Sequence, residues 1–139
     1  MKTIITTFIF SIITLISSAQ LSAGDNIYLQ FQDTDGEVNV DGNAACEMLK
    51  SYVLNKTSLS VVSNKEDSDY TLILYVVEKN LGNRKGKIDV VASKTGETVF
   101  ESKWKKGTMN AFYGYSGTRH AIGRVFNGQI LEEFKQINK

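Results

Sequence analysis

The residues with the clearest potential for covalent chemistry lie in the segment Gly114-Tyr115-Ser116-Gly117-Thr118. A nucleophile elbow reads Gly-x-Ser-x-Gly at a strand-to-helix turn, and here Thr118 occupies the final glycine position. Ser116 and His120 are four residues apart, so their side chains could meet on one helical turn. A hydrolase would also need a carboxylate to orient the imidazole and amides to bind an oxyanion, and the sequence shows no candidate for either. We therefore expect Ser116 or Thr118 to cap a helix, and we expect no enzymatic activity.

A second candidate site is the polar loop at residues 33–43, which is rich in side-chain oxygens. Calcium takes about six to eight oxygen ligands, and an EF-hand loop requires glycine at its sixth position and glutamate at its twelfth. Counted from Glu37, the sixth position is a glycine, but the twelfth is Met48. Counted from Asp33, Val38 stands where glycine is required. A strand-to-helix loop is the main interpretation, and binding of calcium or a small ligand is the alternative. The candidate calcium ligands are Asp33, Asp35, Glu37, Asn39 and Asp41.

The best candidate for a partner surface is the Gly- and Tyr-rich link before the last predicted helix. It places three aromatic side chains close to two arginines, and Tyr and Arg contribute disproportionately to binding energy at protein interfaces. The alternative is that the rings seal the end of the fold below that helix. The candidate partner-binding residues are Phe112, Tyr113, Tyr115, Arg119 and Arg124.

Metal and disulfide chemistry are limited by composition, because the chain has one cysteine, Cys46, and one histidine, His120. One histidine excludes a two-histidine zinc site, and one cysteine excludes an internal disulfide. We expect no cofactor. Cys46 lies at helical spacing with Leu49 and Val53, which predicts a buried apolar residue rather than a reactive thiol.

The first residues have the layout of a secretory signal peptide. Lys2 precedes an apolar run from Ile4 to Ile16, and small residues follow at 17–19. The run of 13 residues is shorter than the roughly 20 that a membrane-spanning helix needs. We expect residues 1–19 to be removed by cleavage after Ala19, with Ala23 as the weaker alternative. Residues 20–139 would then form one domain in the periplasm or outside the cell.

Charge is balanced in bulk but uneven along the chain. Residues 20–139 hold 15 basic and 15 acidic side chains, so net charge does not favour a nucleic-acid partner. Residues 25–70 contain nine acids and three bases, whereas residues 79–106 contain eight bases and three acids. The main interpretation is a pair of ordinary solvated faces, and the alternative is self-association or docking on a charged partner. The basic segment Asn83–Lys87 is interpreted as a solvated hairpin loop.

Hydrophobic periodicity predicts five strands and two helices. The predicted strands are Ile27–Phe31, Leu59–Val62, Tyr70–Val77, Lys87–Ala92 and Thr98–Lys105. The predicted helices cover residues 44–54, capped by Asp41 or Asn43, and residues 118–137. Apolar residues that recur every three or four positions predict a buried stripe on the second helix: Ile122, Val125, Phe126, Ile130, Phe134 and Ile137. This order predicts an α/β (α+β) sandwich, β-α-β-β-β-β-α, with a mixed, largely antiparallel sheet. The strand at 70–77 is apolar on both sides, so we expect it to be central and covered above and below. In the last strand, alternation places Phe100, Ser102 and Trp104 on one face.

Three phrases in this order resemble a group of Gram-negative envelope proteins. The phrases are a short strand at Leu59–Asn64, a strand entry at Ser68-Asp69-Tyr70 and a hairpin turn at Lys94-Thr95-Gly96-Glu97. The group includes the amino-terminal domain of TolB, the curli-secretion lipoproteins and the lipoprotein activators of penicillin-binding proteins. The resemblance implies a non-enzymatic interaction or assembly module that acts on other envelope proteins. No cysteine lies near the cleavage point, so we expect no stable membrane anchor.

Overall fold

The computed structural model describes residues 20–34, 40–78, 83–108 and 116–139. Its sheet has six strands: β1 (Asn26–Phe31), β2 (Ser60–Val61), β3 (Tyr70–Glu78), β4 (Arg84–Ala92), β5 (Thr98–Glu101) and β6 (Lys105–Gly107). Along the sheet the order is β2-β1-β3-β4-β5, and β6 also pairs with β4. β1 runs parallel to β2 and β3, and all pairs made by β4 are antiparallel. The predicted fold class, a mixed and largely antiparallel α/β sandwich, is confirmed.

Helix α1 (Gly42–Lys56) begins after Asp41, whose Oδ1 accepts hydrogen bonds from the N–H groups of Asn43 and Ala44 at 3.0 and 3.2 Å. These bonds satisfy amides that have no partner within the helix, as the capping prediction required. Its buried residues are Ala45, Leu49 and Val53. Cys46 was expected among them but is only half-buried. Burial and, secondarily, Glu47 raise the pKa of its thiol.

Helix α2 (Gly117–Val125) starts at Ser116, whose Oγ accepts a hydrogen bond from the Arg119 N–H at 3.0 Å. The chain then widens into a π-helical turn, Phe126–Ile130, and ends in short turns at Leu131–Glu133 and Lys135–Ile137. The predicted long helix is therefore divided into an α-helix, a π-helical turn, a short α-helical turn and a 3-10 turn. Its predicted stripe is nevertheless buried throughout: Ile122, Val125, Phe126, Ile130, Phe134 and Ile137.

Both helices pack on one face of the sheet. The side chains of Leu72, Leu74, Val76, Ile88 and Val90 point to that face and join the helical stripes in one core. Gly107 allows β6 to approach α2, because a Cβ there would overlap the Gly117 carbonyl oxygen and the Ala121 nitrogen. In the described part of the chain, no helix is long and apolar enough to cross a bilayer.

The other face of the sheet is not covered as expected. β3 is central, but its alternate side chains Ile73, Tyr75 and Val77 are only half-buried. The prediction of cover above and below β3 is therefore wrong. On this side the Tyr75 ring contacts Trp104 edge-on and lies 5.0 Å from the Lys87 ammonium. We call this surface, which carries Tyr75 and Lys87, the open face.

The predicted last strand is interrupted between β5 and β6. Asp89 pairs with Glu101 and Gly86 with Lys105, so three steps along β4 correspond to four along the interrupted strand. An extra residue reverses the alternation of side chains beyond it. Phe100 accordingly contacts Phe134 on the helical face, while Trp104 contacts Tyr75 on the open face. The prediction that Phe100 and Trp104 share a face is wrong for this reason.

The segment before β1 is part of the core. Leu21 is fully buried, and its carbonyl oxygen accepts a hydrogen bond from Gln136 Nε2 at 2.6 Å. The Gln20 carbonyl accepts a hydrogen bond from the Tyr70 hydroxyl at 3.1 Å. The predicted signal peptide, residues 1–19, lies outside the described residues.

Candidate functional site

Two of the five predicted partner-binding residues, Arg119 and Arg124, lie on α2 and line the same surface pocket. Phe112, Tyr113 and Tyr115 lie outside the described residues, so their interface role stays a prediction. The pocket has a volume of about 500 Å³ and is bounded by α2, the π-helical turn, α1 and β6. Its lining residues are Tyr52, Lys105, Arg119, His120, Gly123, Arg124, Asn127, Gly128 and Gln129. We call it the α2 pocket.

The α2 pocket is basic. Lys105, Arg119 and Arg124 contribute three cationic side chains, and none of its described lining residues is acidic. Arginine presents several N–H donors in a planar fork that matches the oxygens of a carboxylate or phosphate group. The pocket can therefore bind an anionic group, and chemistry that requires a carboxylate base would need one from elsewhere.

Backbone contacts hold the basic side chains in place. The Arg124 guanidinium donates from Nη1 to the Lys106 carbonyl oxygen at 2.7 Å, which ties it to β6. The Arg119 carbonyl oxygen accepts a hydrogen bond from the Tyr52 hydroxyl at 3.4 Å. Gly123 makes room for that phenol, since a Cβ at this position would lie 2.6 Å from the hydroxyl oxygen. These contacts join α2, which carries both arginines, to β6 and α1.

The π-helical turn forms the far end of the pocket through Asn127, Gly128 and Gln129. Such turns are uncommon and often occur at functional sites. Here the widened turn brings Gln129 to the interruption between β5 and β6, where its side chain binds the backbone of Lys103. Sequence periodicity could not reveal this turn, because the buried stripe continues through it.

Ser116 and His120 do not form a catalytic pair in this arrangement. Ser116 Oγ accepts the Arg119 N–H, as a helix cap does, and His120 Nδ1 accepts the Thr108 N–H at 3.1 Å. Each side chain thus binds a backbone amide rather than the other. The interpretation of Ser116 as a helix cap is confirmed.

The candidate calcium ligands are described only in part. Asp35, Glu37 and Asn39 lie outside the described residues, and Asp41 Oδ1 is engaged with the first amides of α1. Within the described ranges, no group of three or more His, Cys, Asp or Glu side chains could hold a metal ion. Asp33 is exposed on the surface. The calcium alternative remains a hypothesis for the loop as a whole.

A charged cluster on the open face was missed by the sequence analysis. Lys87 is only 9% exposed, and its Nζ lies 2.7 Å from Glu101 Oε1 and 3.3 Å from Asp89 Oδ1. The same ammonium lies 5.0 Å from the ring centre of Tyr75 and 5.8 Å from that of Trp104. The expected solvated loop at Asn83–Lys87 is wrong, because β4 begins at Arg84 and its pairing with β3 carries Lys87 into the sheet.

Burial, hydrogen bonds and neighbouring charges together shift the pKa values of the groups in this cluster. It lowers the pKa of Lys87, but the hydrogen bond to Glu101 and the attraction of Asp89 outweigh it, so the pKa stands above its usual value. Burial raises the pKa of Asp89, with Lys87 acting in the opposite direction. Burial and the nearby Asp89 raise the pKa of the Tyr75 hydroxyl. Lys87 therefore stays charged and serves as a structural counter-ion.

No protein-family model and no curated protein matches this chain. Solved structures similar to it include the following three. The LpoB C-terminal domain from Salmonella enterica is 13% identical, with 70% of this chain and 93% of that chain covered and a TM-score of 0.51. A PelC dodecamer structure from Paraburkholderia phytofirmans is 14% identical, with 86% and 92% covered and a TM-score of 0.57. The hypothetical protein CT253 from Chlamydia trachomatis is 8% identical, with 81% and 97% covered and a TM-score of 0.50.

The likeness is one of fold. At these identities it confirms, at the level of fold, the resemblance to Gram-negative envelope domains that the sequence phrases indicated. A shared fold does not carry a shared binding site, so the residues of the α2 pocket have to be judged by their own chemistry.

Proposed function

We propose that this chain is an exported, non-enzymatic interaction or assembly module of the bacterial cell envelope, which binds a partner protein at the α2 pocket. The observation that carries the proposal is the grouping of Lys105, Arg119 and Arg124 around one pocket with no carboxylate among its described lining residues. The leader-like residues 1–19 support export, and the fold is compatible with an envelope module.

The chemistry of the pocket selects an acidic segment of the partner. Carboxylates accept paired hydrogen bonds from a guanidinium, and such charge-assisted bonds are stronger than neutral ones. Arg124 is already held by the Lys106 carbonyl, so less side-chain freedom is lost when its remaining N–H groups bind a ligand. The pocket is thus partly preorganised for an anion.

A second copy of this chain is one candidate for that partner. Residues 25–70 carry the acidic excess of the sequence, and Asp25, Glu66, Asp67 and Asp69 lie within the described residues. The similar PelC structure is a dodecamer, which shows that this fold can assemble with itself in that protein. In self-association, the acidic surface of one copy would bind the basic pocket of another, as an acidic segment of a different envelope protein would.

The test is capture of partners from an envelope extract by the purified protein and by the double variant Arg119→Gln/Arg124→Gln. The matched control is Lys65→Gln/Lys94→Gln, which removes two exposed charges far from the pocket. We expect the pocket variant to lose the captured protein and the control to retain it. Sedimentation of the purified protein alone reports whether the partner is a second copy.

Equal capture by all three proteins would refute the α2 pocket as the binding site. Thermal melting of each variant must accompany the capture, because Arg124 also binds the Lys106 carbonyl. Arg124→Lys gives a second check: it keeps the charge but cannot form the forked contact, so we expect weakened capture with an unchanged fold.

A further inference from the structure

Two lysines stand directly opposite each other where β4 meets β6. Lys85 pairs with Lys106 in the antiparallel register, and both side chains are exposed. Like charges at directly opposed positions destabilise a sheet, so this pair works against the fold unless an anion neutralises it. Neither lysine forms an ion pair with any other described residue.

The only tryptophan of the chain lies beside this pair. Trp104 is 42% exposed, although its ring contacts Tyr75 edge-on at a centroid distance of 6.2 Å and lies close to the Lys87 ammonium. The ring is thus held on one side and open to solvent on the other. Lys85 shares the open face with Lys87, since alternate residues of β4 point the same way.

The nearby carboxylates cancel only part of the charge of this surface. Glu78 is paired with Arg84 at 2.9 Å, whereas Glu101 and Asp89 share the one positive charge of Lys87 and leave one negative charge in excess. Lys103 is exposed next to Trp104, and within the described ranges it too has no ion pair. An exposed aromatic ring therefore lies near exposed lysines without an ion pair, with Lys106 two residues away in the chain and Lys103 next to it. We call Lys85, Lys103, Trp104 and Lys106 the β6 basic surface.

We propose that the β6 basic surface binds the anionic headgroups of a lipid bilayer. Lysine ammonium groups are attracted to an anionic membrane surface, and a tryptophan ring at the headgroup level combines an apolar body with a polar N–H. An acidic protein segment is the other occupant that fits these charges, and it predicts that the protein does not bind vesicles. With one ring and three lysines the contact is peripheral and reversible.

The test uses the purified protein and its single tryptophan as the reporter. Vesicles of phosphatidylglycerol with phosphatidylethanolamine are compared with vesicles of phosphatidylcholine alone, by co-sedimentation and by Trp104 fluorescence. We expect sedimentation with the anionic vesicles only, a blue shift of the emission and release at high salt. Lys85→Glu/Lys106→Glu should weaken binding at least about 25-fold, since each lysine near such a surface contributes about fivefold.

The control Lys65→Glu/Lys94→Glu makes the same change in net charge at exposed positions away from β6. It should bind the anionic vesicles as the unmodified protein does. The proposal is overturned if no vesicle is bound, if both double variants lose binding equally, or if binding leaves the Trp104 emission unchanged. Arg119→Gln keeps the β6 basic surface and the contact between Arg124 and Lys106, so loss of partner capture with retained vesicle binding would separate this site from the α2 pocket.

Discussion

The side-chain amide of Gln129 binds both backbone polar groups of Lys103. Gln129 Oε1 accepts the Lys103 N–H at 2.7 Å, and Gln129 Nε2 donates to the Lys103 carbonyl oxygen at 3.0 Å. Lys103 lies at the interruption between β5 and β6, where the extra residue leaves the ladder of the sheet. A side chain from the π-helical turn thus replaces the missing strand and joins the α2 pocket to the sheet edge.

Replacing Gln129 with Ala should lower the free energy of unfolding by about 1 kcal/mol. Two hydrogen bonds are lost, but the freed groups of Lys103 are at the surface and can bind water. Urea denaturation measures the difference. Asn127→Ala, in the same turn, is the control, because no described residue binds its side chain, and it should change stability little. Equal stability of the Gln129 variant and the unmodified protein would contradict a structural role for this pair.

The pH dependence of stability should carry a contribution from Asp89. Its pKa in the fold is raised above the ordinary value of 3.8, so the folded protein holds this proton more tightly than the unfolded chain does. The resulting stabilisation is complete below pH 3.8 and is lost as the pH rises through the folded pKa. We expect the unfolding free energy of the unmodified protein minus that of Asp89→Asn to fall as the pH rises from 3.8 through the folded pKa of Asp89. A difference that stays flat or rises would show that Asp89 is not destabilised by burial.

Asp41 should act as a helix cap and not as a metal ligand. Asp41→Ala removes the acceptor for two amides of α1 and should cost about 1 kcal/mol of stability. Asp33→Ala, which alters an exposed carboxylate without a capping role, should cost much less. Melting curves with and without calcium should coincide for both variants and for the unmodified protein. Saturable stabilisation by calcium that either substitution abolishes would favour the ligand-binding alternative.

The buried segment before β1 bears on where the predicted leader would be removed. Cleavage after Ala23 would delete Leu21, which is fully buried in the core, whereas cleavage after Ala19 would keep it. Leu21→Ala should cost about 2–5 kcal/mol because it leaves a cavity. Leu54→Ala, at a position 44% exposed, should change stability by only about 0.5 kcal/mol. Mass spectrometry of the exported protein should find a chain that starts at Gln20, and a chain that starts at Gly24 would refute this assignment.

Local patterns predicted most of the elements because their causes are local. Alternation identified β1, spacing of three and four identified the buried stripe of the last helix, and Gly96 takes the positive φ of 75° that the predicted turn requires. The capping role of Asp41 followed from its position before an apolar period. The ends of β4 and the last strand were predicted less well, because strand pairing and not propensity decides where they begin and stop.

For the α2 pocket, the sequence predicted individual residues but not their grouping. Arg119 and Arg124 were singled out beside an aromatic link, but Lys105, Tyr52 and Gln129 come from other elements and have no sequence signal that joins them. Lys87 was assigned to solvent because a basic run usually is solvated. Its burial depends on Asp89 and Glu101, which the register brings to the same side of the sheet.

The sequence by itself determined the element order, the capping residue of α1, the buried stripe of the last helix and the fold class, since each depends on residues close together in the chain. Only the tertiary structure decided that one face of the sheet stays open, that Trp104 and Phe100 lie on different faces of the sheet, and that two arginines and a lysine share one pocket. The open face follows from the packing of both helices on the other side of the sheet, the direction of Trp104 follows from the extra residue between β5 and β6, and the shared pocket follows from the packing of α2 beside β6. Side-chain direction reverses with every residue of a strand. The register between distant segments therefore had to be known before a side chain could be assigned to one face of the sheet.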